Sequence, residues 1–390
     1  MIRMIKNWYH FMRAVASILY FRFPDRNLVV IGVTGTDGKT TTTTLIYHIL
    51  RSLGVKTSMI TSVHAVIAGK EYDTGFHVTS PDSYYIQKYL REAIDHGDTH
   101  FVLEVTSHGL AQHRFFGVRF SVGVLTNITH EHLDWHRSFD EYMRTKFTLL
   151  RRSAIAVLNR DETDVYTKAV ASMGNKKIVT YAIRRDAMMT TNNTPFQTLL
   201  PGEFNQYNSL AAISALYALG FPMKKIVRAV STFQGVVGRM EVLKVRPFRI
   251  IVDFAHTPNA IEQVGKTVRA QTKGKLIHVF GSAGLRDASK RPMMGKNSSQ
   301  FADVIVLTEE DYRTENVQDI MTSIRKGISI DTPTYQYENR YDAIEFALSI
   351  AKPGDTVLVT GKGHEKSLCR GTVEIPWSDQ ETIQQILKKI

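Results

Sequence analysis

A glycine-rich segment followed by a run of threonines constrains the fold of this chain more than any other feature. The segment reads Gly32-Val33-Thr34-Gly35-Thr36-Asp37-Gly38-Lys39, and residues 40–44 are all threonine. An apolar run at 28–31 precedes it, and residues 45–50 have the composition of a helix. The order of strand, glycine-rich turn, lysine, hydroxyl and helix is typical of loops that bind the phosphates of a nucleotide. The segment therefore predicts an α/β domain built around a nucleotide site.

The chemistry of such a loop depends on a few groups. Backbone N–H groups and the helix N-terminus face the phosphates, Lys39 neutralises their charge, and the Thr40 hydroxyl holds Mg²⁺. The strict pattern has glycine at the position of Val33, so this loop is a variant carried by Gly35, Gly38, Lys39 and Thr40. The alternative is a turn between a strand and a helix that merely contains a lysine, and the flanking pattern favours the nucleotide site.

Composition narrows the class of protein. The chain has 390 residues, 43% hydrophobic and 22% charged, which is enough for two or three globular domains. The formal net charge of +12 fits nucleic acid, a membrane surface or small anions. The basic residues are scattered and no nucleic-acid module appears, so we expect small polyanionic substrates and no nucleic-acid partner. The single cysteine, Cys369, excludes an internal disulfide and suits the reducing cytoplasm, where we expect the protein.

The first 27 residues have their own pattern. Apolar residues recur at helical spacing with basic residues between them, which predicts an amphipathic helical segment over 1–27. The uncharged stretch at 14–21 is too short to span a bilayer. Two interpretations stay open: a helix packed on the main domain, or a peripheral contact with an anionic membrane.

Apolar runs alternate with helical patterns along the rest of the chain, an order typical of parallel sheets in α/β domains. Polar residues follow each run, at the strand ends where ligands bind in such sheets. The runs lie at 101–103, 122–125, 155–158, 248–252, 276–280, 304–307 and 356–359. The pattern predicts an α/β fold with a central P-loop-type ATPase domain over 28–237, whose sheet is mostly parallel. A C-terminal Rossmann-like α/β domain follows over 238–390.

A nucleotide triphosphate needs a metal ion, and Mg²⁺ prefers oxygen ligands. Thr40 and Glu104 are the candidates by residue type, with His132 placed nearby in the sequence. The spacing of His130, His132 and His136 alone would also allow a metal site. Lys146 lies within a helical pattern at 139–150, where composition alone favours a surface lysine.

Eleven motifs, in this order along the chain, resemble the Mur ligases, ATP-dependent amide-forming enzymes of peptidoglycan synthesis. The resemblance is to the MurE branch, the UDP-N-acetylmuramyl-tripeptide synthetases, and covers about residues 28–390. The motifs are Gly35-Thr36-Asp37-Gly38-Lys39-Thr40-Thr41, Thr79-Ser80-Pro81, residues 104–110 with Gln112 and Arg114, Thr126-Asn127, His132-Leu133-Asp134, Lys146, residues 204–208, Gly238-Arg239-Met240-Glu241, residues 253–258, Lys290-Arg291-Pro292 and residues 361–365.

The resemblance implies a mechanism. ATP phosphorylates a carboxylate of a muramyl-peptide acceptor, the amino group of an incoming amino acid attacks the acyl phosphate, and phosphate leaves. It implies catalytic roles for Lys39, Glu104, His132, Lys146 and Arg239, with Thr40, Glu104 and His132 at Mg²⁺. Lys146 matches a lysine that family members carbamylate, which makes it a site residue instead of a surface lysine.

The resemblance also implies the binding residues. ATP would contact Gly35, Thr36, Asp37, Gly38, Lys39, Thr40, Thr41, Asn127, Asn205, Arg239, Asp253 and His256. The acceptor would contact Ser80, Thr106, Gln112 and Arg114. The incoming amino acid would contact Arg286, Glu310, Asp311, Arg313, Gly361 and Glu365.

The chain departs from the MurE pattern in two places that bear on its substrates. Only 27 residues precede the first predicted strand, so we expect the chain to lack the uridine-binding domain of MurE enzymes. The family's Asp-Asn-Pro-Arg specificity motif reads Glu310-Asp311-Tyr312-Arg313. Because Arg313 is retained, the resemblance favours meso-diaminopimelate over lysine as the amino acid.

Three functions remain open at this point. The first is a MurE-type ligase acting on a UDP-N-acetylmuramyl-L-alanyl-D-glutamate type acceptor, working as a monomer with small-molecule substrates. The second keeps the ligase chemistry with a UDP-free, lipid-linked, or folate-like or polyamide acceptor. The third is an ATP-binding subunit without turnover, which has no physical need for Lys39, Glu104, His132, Lys146 and Arg239 together.

Overall fold

The structure, a computed structural model, describes residues 2–72, 81–129 and 138–389, with side chains from residue 8 onward. The chain divides into two compact units, Met1–Gln234 and Gly235–Ile390. Both units are α/β, so the predicted fold class is confirmed.

Unit 1 is organised around a sheet whose nine strands, within the described ranges, run in the order β4-β3-β2-β5-β1-β6-β7-β8-β9. In this spatial order, the strands β2-β5-β1-β6-β7-β8-β9 all pair in parallel with their neighbours. At one edge of the sheet, β3 pairs antiparallel with β2, and β4 pairs antiparallel with β3. Their bounds are β1 Val29–Thr34, β2 Thr57–Ile60, β3 Ala65–Ile67, β4 Lys70–Tyr72, β5 His100–Glu104, β6 Phe120–Leu125, β7 Ser153–Asn159, β8 Lys177–Ala182 and β9 Met189–Thr190. The central strands are buried on both faces, which explains why they read as continuous apolar runs in the sequence.

Helices cover this sheet. They are α1 Ile2–Tyr20, α2 Lys39–Ser52, α3 Ser83–Asp95, α4 Ser107–Ala111, α5 Phe139–Arg152, α6 Thr163–Ala171, α7 Glu203–Ala218 and α8 Met223–Val230, with a 3-10 turn at Pro24–Asn27. None of the helices in the described part of the chain has both the length and the apolar character needed to cross a membrane.

Two glycines bring helix α5 close to the sheet. Gly32 of β1 and Gly123 of β6 are paired neighbours. A Cβ atom on Gly32 would lie 2.7 Å from Leu149 of α5, and one on Gly123 would lie 2.2 Å from Ser153 at the end of that helix. A Cβ atom at either position would force these neighbouring side chains to move, so glycine favours the close approach. The close approach brings the inner face of α5 against the strands that lead into the glycine-rich loop.

Helix α1 packs on unit 1 with one face. Ala14, Ser17 and Ile18 are buried, and the helix lies against α3 and the 3-10 turn region. Gly117, in the left-handed region with φ 78°, leaves room for the Ile18 side chain, since a Cβ there would lie 2.2 Å from Ile18 Cδ1. The buried face of α1 thus agrees with the first interpretation of the N-terminal segment, a helix packed on the main domain.

Unit 2 contains a second sheet with the strand order β10-β11-β15-β12-β13-β14 and a separate hairpin of β16 and β17. β10 pairs antiparallel with β11, and the other pairs of the sheet are parallel. The strands are β10 Glu241–Lys244, β11 Arg249–Asp253, β12 Leu276–Phe280, β13 Val304–Thr308, β14 Thr334–Tyr337, β15 Thr356–Thr360, β16 Ser367–Arg370 and β17 Val373–Pro376. The helices are α9 Pro258–Gln271, α10 Lys290–Ser298, α11 Val317–Arg325, α12 Arg340–Ile350 and α13 Asp379–Leu387.

A buried ion pair joins helices α12 and α13 of unit 2. Arg340 Nε and Nη2 each donate to one carboxylate oxygen of Asp379, both at 2.7 Å, and neither side chain is exposed. Arg340 Nη2 also donates to the Thr360 carbonyl at the end of β15, and Trp377 Nε1 donates to Asp379. Loss of either charge would remove the group that pairs directly with the other in this buried site.

We expect the substitution Asp379→Asn to destabilise unit 2 by about 3–5 kcal/mol, because Arg340 would keep its charge in a dry site. Urea unfolding followed by circular dichroism measures the change. Asp95→Asn, at the exposed Arg91–Asp95 pair of α3, is the matched control and should leave the free energy of unfolding nearly unchanged. Equal effects at the two positions would contradict the assignment.

Candidate functional site

The glycine-rich loop connects β1 to α2 and depends on glycine at two positions. Gly38 precedes the first residue of α2 with φ 80°, and a Cβ there would lie 2.2 Å from Asn208 Oδ1. A Cβ on Gly35 would lie 1.8 Å from Thr126 Oγ1. The loop can therefore take this path only because both residues lack a side chain.

The end of strand β6 holds the loop in place. Thr126 Oγ1 donates to the Asp37 carbonyl at 2.7 Å, and the Asp37 N–H donates to Asn127 Oδ1 at 2.9 Å. The Thr36 N–H donates to the Asn127 carbonyl at 2.9 Å. Asn127, a predicted nucleotide residue, thus supports the loop from the neighbouring strand. Lys39 Nζ donates to the Thr36 carbonyl at 2.7 Å, so its cation lies over the loop.

A buried carboxylate lies beside the start of α2. Glu104, the last residue of β5, is 2% exposed, and its Oε2 accepts from Thr40 Oγ1 at 3.0 Å and from the Ser62 N–H at 2.9 Å. Ser62 Oγ lies 2.9 Å from Thr40 Oγ1 and donates to both oxygens of Glu104. No cation pairs with Glu104 in the described ranges of the chain. A buried carboxylate with two hydroxyls and no counter-charge fits the oxygen ligands that Mg²⁺ prefers.

Of the predicted metal ligands, the structure brings Thr40 and Glu104 together. His132, together with His130 and His136, lies outside the described residues. Within those residues, no group of three or more histidine, cysteine, aspartate or glutamate side chains could hold a metal ion. The structure therefore describes two of the three predicted ligands and leaves the assignment as a prediction.

Lys146 is buried, not at the surface as composition alone would favour. It is 1% exposed, Nζ donates to the Gly35 carbonyl at 2.6 Å, and Nζ lies 4.5 Å from the centre of the Tyr142 ring. Tyr142 lies one turn earlier on α5, and its hydroxyl is 3.1 Å from Thr36 Oγ1. Helix α5 thus presents two polar groups to the glycine-rich loop, which is a position consistent with a site residue.

Helix α7 supports the loop from the other side. Asn205 Nδ2 donates to the Pro201 carbonyl at 2.8 Å, and Asn208 Nδ2 donates to Asn205 Oδ1 at 3.1 Å. Asn208 Oδ1 also accepts from Thr42 of α2 at 3.4 Å. Thr41, on the same first turn of α2, is buried. Asn205 therefore reaches the first turns of α2 through Asn208.

The predicted acceptor residues of unit 1 are partly described. The Thr106 side chain accepts from the Gly109 N–H at 3.1 Å and caps α4, directly after β5. Arg114 Nε donates to Gln112 Oε1 at 2.9 Å, and burial lowers the pKa of Arg114. Gln112 and Arg114 thus form one polar pair at the end of α4. Ser80 lies outside the described residues.

In unit 2, Asp253 ends strand β11 and organises the nucleotide residues predicted there. Its two oxygens accept from the Met240 and Ala255 N–H groups, both at 2.7 Å. Burial raises the pKa of Asp253, and the charge of Arg239 opposes this rise. The Arg239 guanidinium lies 4.4 Å from the centre of the Phe254 ring. His256 Nδ1 donates to the Phe254 carbonyl at 2.9 Å, so Arg239, Asp253 and His256 share one strand end.

The predicted amino-acid residues follow strands β12, β13 and β15 of unit 2. Asp311 accepts from Lys362 Nζ at 2.8 Å, and Lys362 also pairs with Glu365. Burial lowers the pKa of Lys362, but the two carboxylates together raise it above its usual range. Arg313 Nη1 donates to the Gly284 carbonyl at 2.6 Å.

Glu310 differs from its neighbours because its Oε2 is buried and accepts no hydrogen bond from the described part of the chain. Burial raises the pKa of this carboxyl, which lies 2.9 Å from the Cβ position of Gly361. Arg286 is exposed in the loop after β12. The structure therefore brings Glu310, Asp311, Gly361 and Glu365 to one set of strand ends.

Three residues of this arrangement were given no site role from the sequence, although Thr126 and Lys362 lie within the motifs named above. Ser62 holds Glu104, Thr126 holds the loop, and Lys362 joins Asp311 to Glu365. Each follows the end of a strand, so the rule applied to the other strand ends could have found Ser62, which lies two residues after β2. Its strand is short and its neighbours are uncharged, which hid the signal.

We expect Ser62→Ala to weaken Mg²⁺-dependent nucleotide binding about tenfold, because Glu104 loses a hydroxyl donor that orients it. Calorimetric titration with ATP, with and without Mg²⁺, measures the change. Ser172→Ala is the matched control, since that hydroxyl donates only to a backbone carbonyl at the end of α6. An unchanged Mg²⁺ dependence in Ser62→Ala would argue against this role.

Comparisons with known proteins agree with this geometry. Residues 33–216 match the Mur ligase middle domain, and residues 238–363 match the Mur ligase glutamate ligase domain. The chain is 33% identical to the UDP-N-acetylmuramoyl-L-alanyl-D-glutamate–2,6-diaminopimelate ligase of Clostridium botulinum, over 97% of this chain and 81% of that protein. It is 34% identical to the UDP-N-acetylmuramyl-tripeptide synthetase of a Roseiflexus species, over 97% of this chain and 82% of the relative.

A solved structure extends the likeness to three dimensions. A UDP-N-acetylmuramoyl-L-alanyl-D-glutamate–2,6-diaminopimelate ligase superposes with a TM-score of 0.61 at 28% identity, over 93% of this chain and 78% of the other. The matched domains account for most of the chain and include both sets of strand ends described above. This chain belongs to the Mur ligase family.

Proposed function

We propose that this protein is an ATP-dependent ligase that joins an amino acid to a muramyl-peptide carboxylate through an acyl phosphate. The observation that carries the proposal is the glycine-rich loop of a Mur ligase with a buried Glu104 carboxylate beside Thr40. The acceptor we propose is of the UDP-N-acetylmuramyl-L-alanyl-D-glutamate type, and the reaction serves peptidoglycan synthesis. Similarity to the relatives above supports 2,6-diaminopimelate as the amino acid, with lysine as the alternative.

The two parts of the chain divide the work in this proposal. Residues 28–237 bind ATP and the acceptor, and residues 238–390 bind the incoming amino acid. Arg239, Asp253 and His256 add nucleotide contacts from the second part. ATP and the muramyl-peptide acceptor both carry negative charge, and the net charge of +12 on the protein attracts them. We also propose that the protein works as a monomer in the cytoplasm, where ATP and UDP-linked precursors are found.

Phosphoryl transfer depends on positioning and on neutralising charge. The acceptor carboxylate attacks the terminal phosphorus of ATP, ADP leaves, and an acyl phosphate forms. Lys39 and the backbone N–H groups of the loop offset the phosphate charge, and the Gly38 position allows α2 to begin against the phosphates. Mg²⁺, held by Thr40, Glu104 and the predicted ligand His132, would supply further positive charge at the phosphates.

Amide formation follows in the second half of the reaction. The amino group of the incoming amino acid attacks the acyl carbon, phosphate leaves, and the nitrogen loses a proton. Arg286 and Arg313 suit the carboxylates of the amino acid, since guanidinium binds carboxylates in a bidentate manner. Glu365, Glu310 and Asp311 suit its ammonium groups, and Gly361 leaves space beside Glu310. Ser80, Thr106, Gln112 and Arg114 are the proposed acceptor contacts.

Lys146 supports this reaction as a carbamate in our proposal. Carbon dioxide would add to the neutral amine of Lys146 to form an N–C bond, release a proton and leave a carbamate whose negative charge lies on its two oxygens. Burial of Lys146 under the loop supports the proposal, because a buried ammonium is costly and conversion to an anion beside a metal site is electrostatically favourable.

Phosphate release from ATP tests the proposed function. We expect turnover with UDP-N-acetylmuramyl-L-alanyl-D-glutamate and meso-diaminopimelate, and little or none with lysine. Product mass should rise by one diaminopimelate residue. If folded protein that binds ATP releases no phosphate with either amino acid, the proposal of a UDP-linked acceptor is wrong. UDP-free or lipid-linked muramyl peptides would then be tested as acceptors.

We expect Lys146→Ala to lower kcat by about a hundredfold or more, because a charge that positions the site is lost. Short carboxylates added to the assay should restore part of the activity by replacing the carbamate. Lys168→Ala, which removes an exposed lysine of α6, is the matched control and should keep full activity. Full activity in Lys146→Ala would contradict the carbamate. Loss without rescue would instead assign Lys146 to holding the Gly35 carbonyl.

A further inference from the structure

Helix α1 exposes an apolar face that no part of the described chain covers. We call Trp8, Tyr9, Met12, Ala16, Leu19 and Tyr20 the α1 stripe. Trp8 is 66% exposed, Leu19 is 61% exposed and Met12 is 47% exposed. The six residues fall on one side of the helix by the 3.6-residue period, and none carries a charge. A soluble helix normally shows solvent its polar face, so this stripe points to an apolar partner.

The stripe continues onto helix α3 through aromatic contacts. The rings of Tyr20 and Tyr84 lie 6.5 Å apart, and those of Tyr84 and Tyr85 lie 5.5 Å apart. Tyr84 is 38% exposed and Tyr85 is 46% exposed. Tryptophan and tyrosine are the residues most enriched where a membrane meets water, since each has an apolar body and a polar tip.

An arginine-lined cavity adjoins the same helix at Ile18. Its volume is about 390 Å³, and Arg26, Arg119 and Arg152 line it. The Arg26 guanidinium lies 4.4 Å from the centre of the Phe23 ring, and the Arg152 guanidinium lies 6.0 Å from that of Phe116.

The charge of this cavity is positive. Asp25 is the acidic residue among its described lining residues, and Arg119 lies 3.5 Å from its carboxylate. With three guanidinium groups and one carboxylate, the charged side chains that line the cavity carry a net charge of about +2. Arginine binds phosphate oxygens in a bidentate manner, so the cavity suits a phosphate group.

We propose that the α1 stripe and this cavity dock the protein on a membrane surface that contains anionic phospholipids. The stripe enters the boundary between headgroups and acyl chains, and the arginines bind lipid phosphate. Residues 1–27 contain five lysine or arginine residues and one acidic residue, so the segment has a positive charge that complements an anionic membrane surface. A second copy of this chain fits less well, because each copy has a net charge of +12 and the cavity is itself basic.

Flotation of the full chain with phosphatidylcholine vesicles, with and without phosphatidylglycerol, tests the proposal. We expect binding to the anionic vesicles, weak binding to the neutral ones, and release at high salt, where charges are screened. Adding anionic vesicles should also shift Trp8 emission to shorter wavelength, and the shift should disappear in Trp8→Phe. The test is independent of ligase activity, so its failure leaves the proposed function untouched.

Variants separate the two parts of the surface. Trp8→Ser with Met12→Ser and Leu19→Ser should weaken binding at least about tenfold, because three exposed apolar side chains no longer leave water. Arg26→Ala with Arg152→Ala should remove the preference for anionic vesicles. Leu199→Ser with Ile330→Ser and Val373→Ser is the matched control: these residues are 57%, 88% and 60% exposed elsewhere, and binding should be unchanged.

Three results would overturn the proposal. The first is equal vesicle binding by the stripe variant and the wild type. The second is equal binding to neutral and anionic vesicles. The third is absence of flotation together with a concentration-dependent dimer, measured by sedimentation, that the stripe variant abolishes; that result would assign the stripe to a second copy.

Discussion

The buried carboxylate of Glu104 is the constraint on which the site of unit 1 depends. A carboxylate out of water is costly unless donors surround it, and Glu104 takes its donors from Thr40 and Ser62. These residues come from the start of α2 and from the segment after β2. The order β2-β5-β1 in the sheet therefore brings three separate parts of the chain to one group. The glycine-rich loop lies beside it because β1 pairs directly with β5.

Two buried carboxylates of unit 2, unlike Glu104, form ion pairs with basic side chains. Asp379 is matched by Arg340, and Asp311 is matched by Lys362. Within the described ranges, Glu104 has hydroxyl and amide donors but no cation, and Glu310 has one oxygen that accepts no hydrogen bond. The paired carboxylates hold helices and strand ends together. Glu104 and Glu310 are both buried, and neither forms an ion pair within the described residues, so both are suited to positive groups that arrive with the substrates.

Much of this could be predicted from the sequence. The apolar runs at 101–103, 122–125 and 248–252 became strands β5, β6 and β11, and the helical pattern at 139–150 became α5. Motif resemblance selected Lys146 for the site, and the structure places it under the Gly35 carbonyl. Composition alone favoured an exposed position for Lys146. It cannot show that Gly32 and Gly123 let α5 lie close to the sheet, which buries this side chain.

The sequence by itself determined the fold class, the glycine-rich loop and the family, because these depend on local periodicity and on short runs of residues whose order is preserved. The tertiary structure alone decided the role of Ser62, the pairing of Asp311 with Lys362, and which face of α1 is exposed. Each of these joins residues far apart in the chain or depends on which side of a helix meets its neighbour. A periodic pattern shows that a helix has two faces, but packing decides which of them is buried.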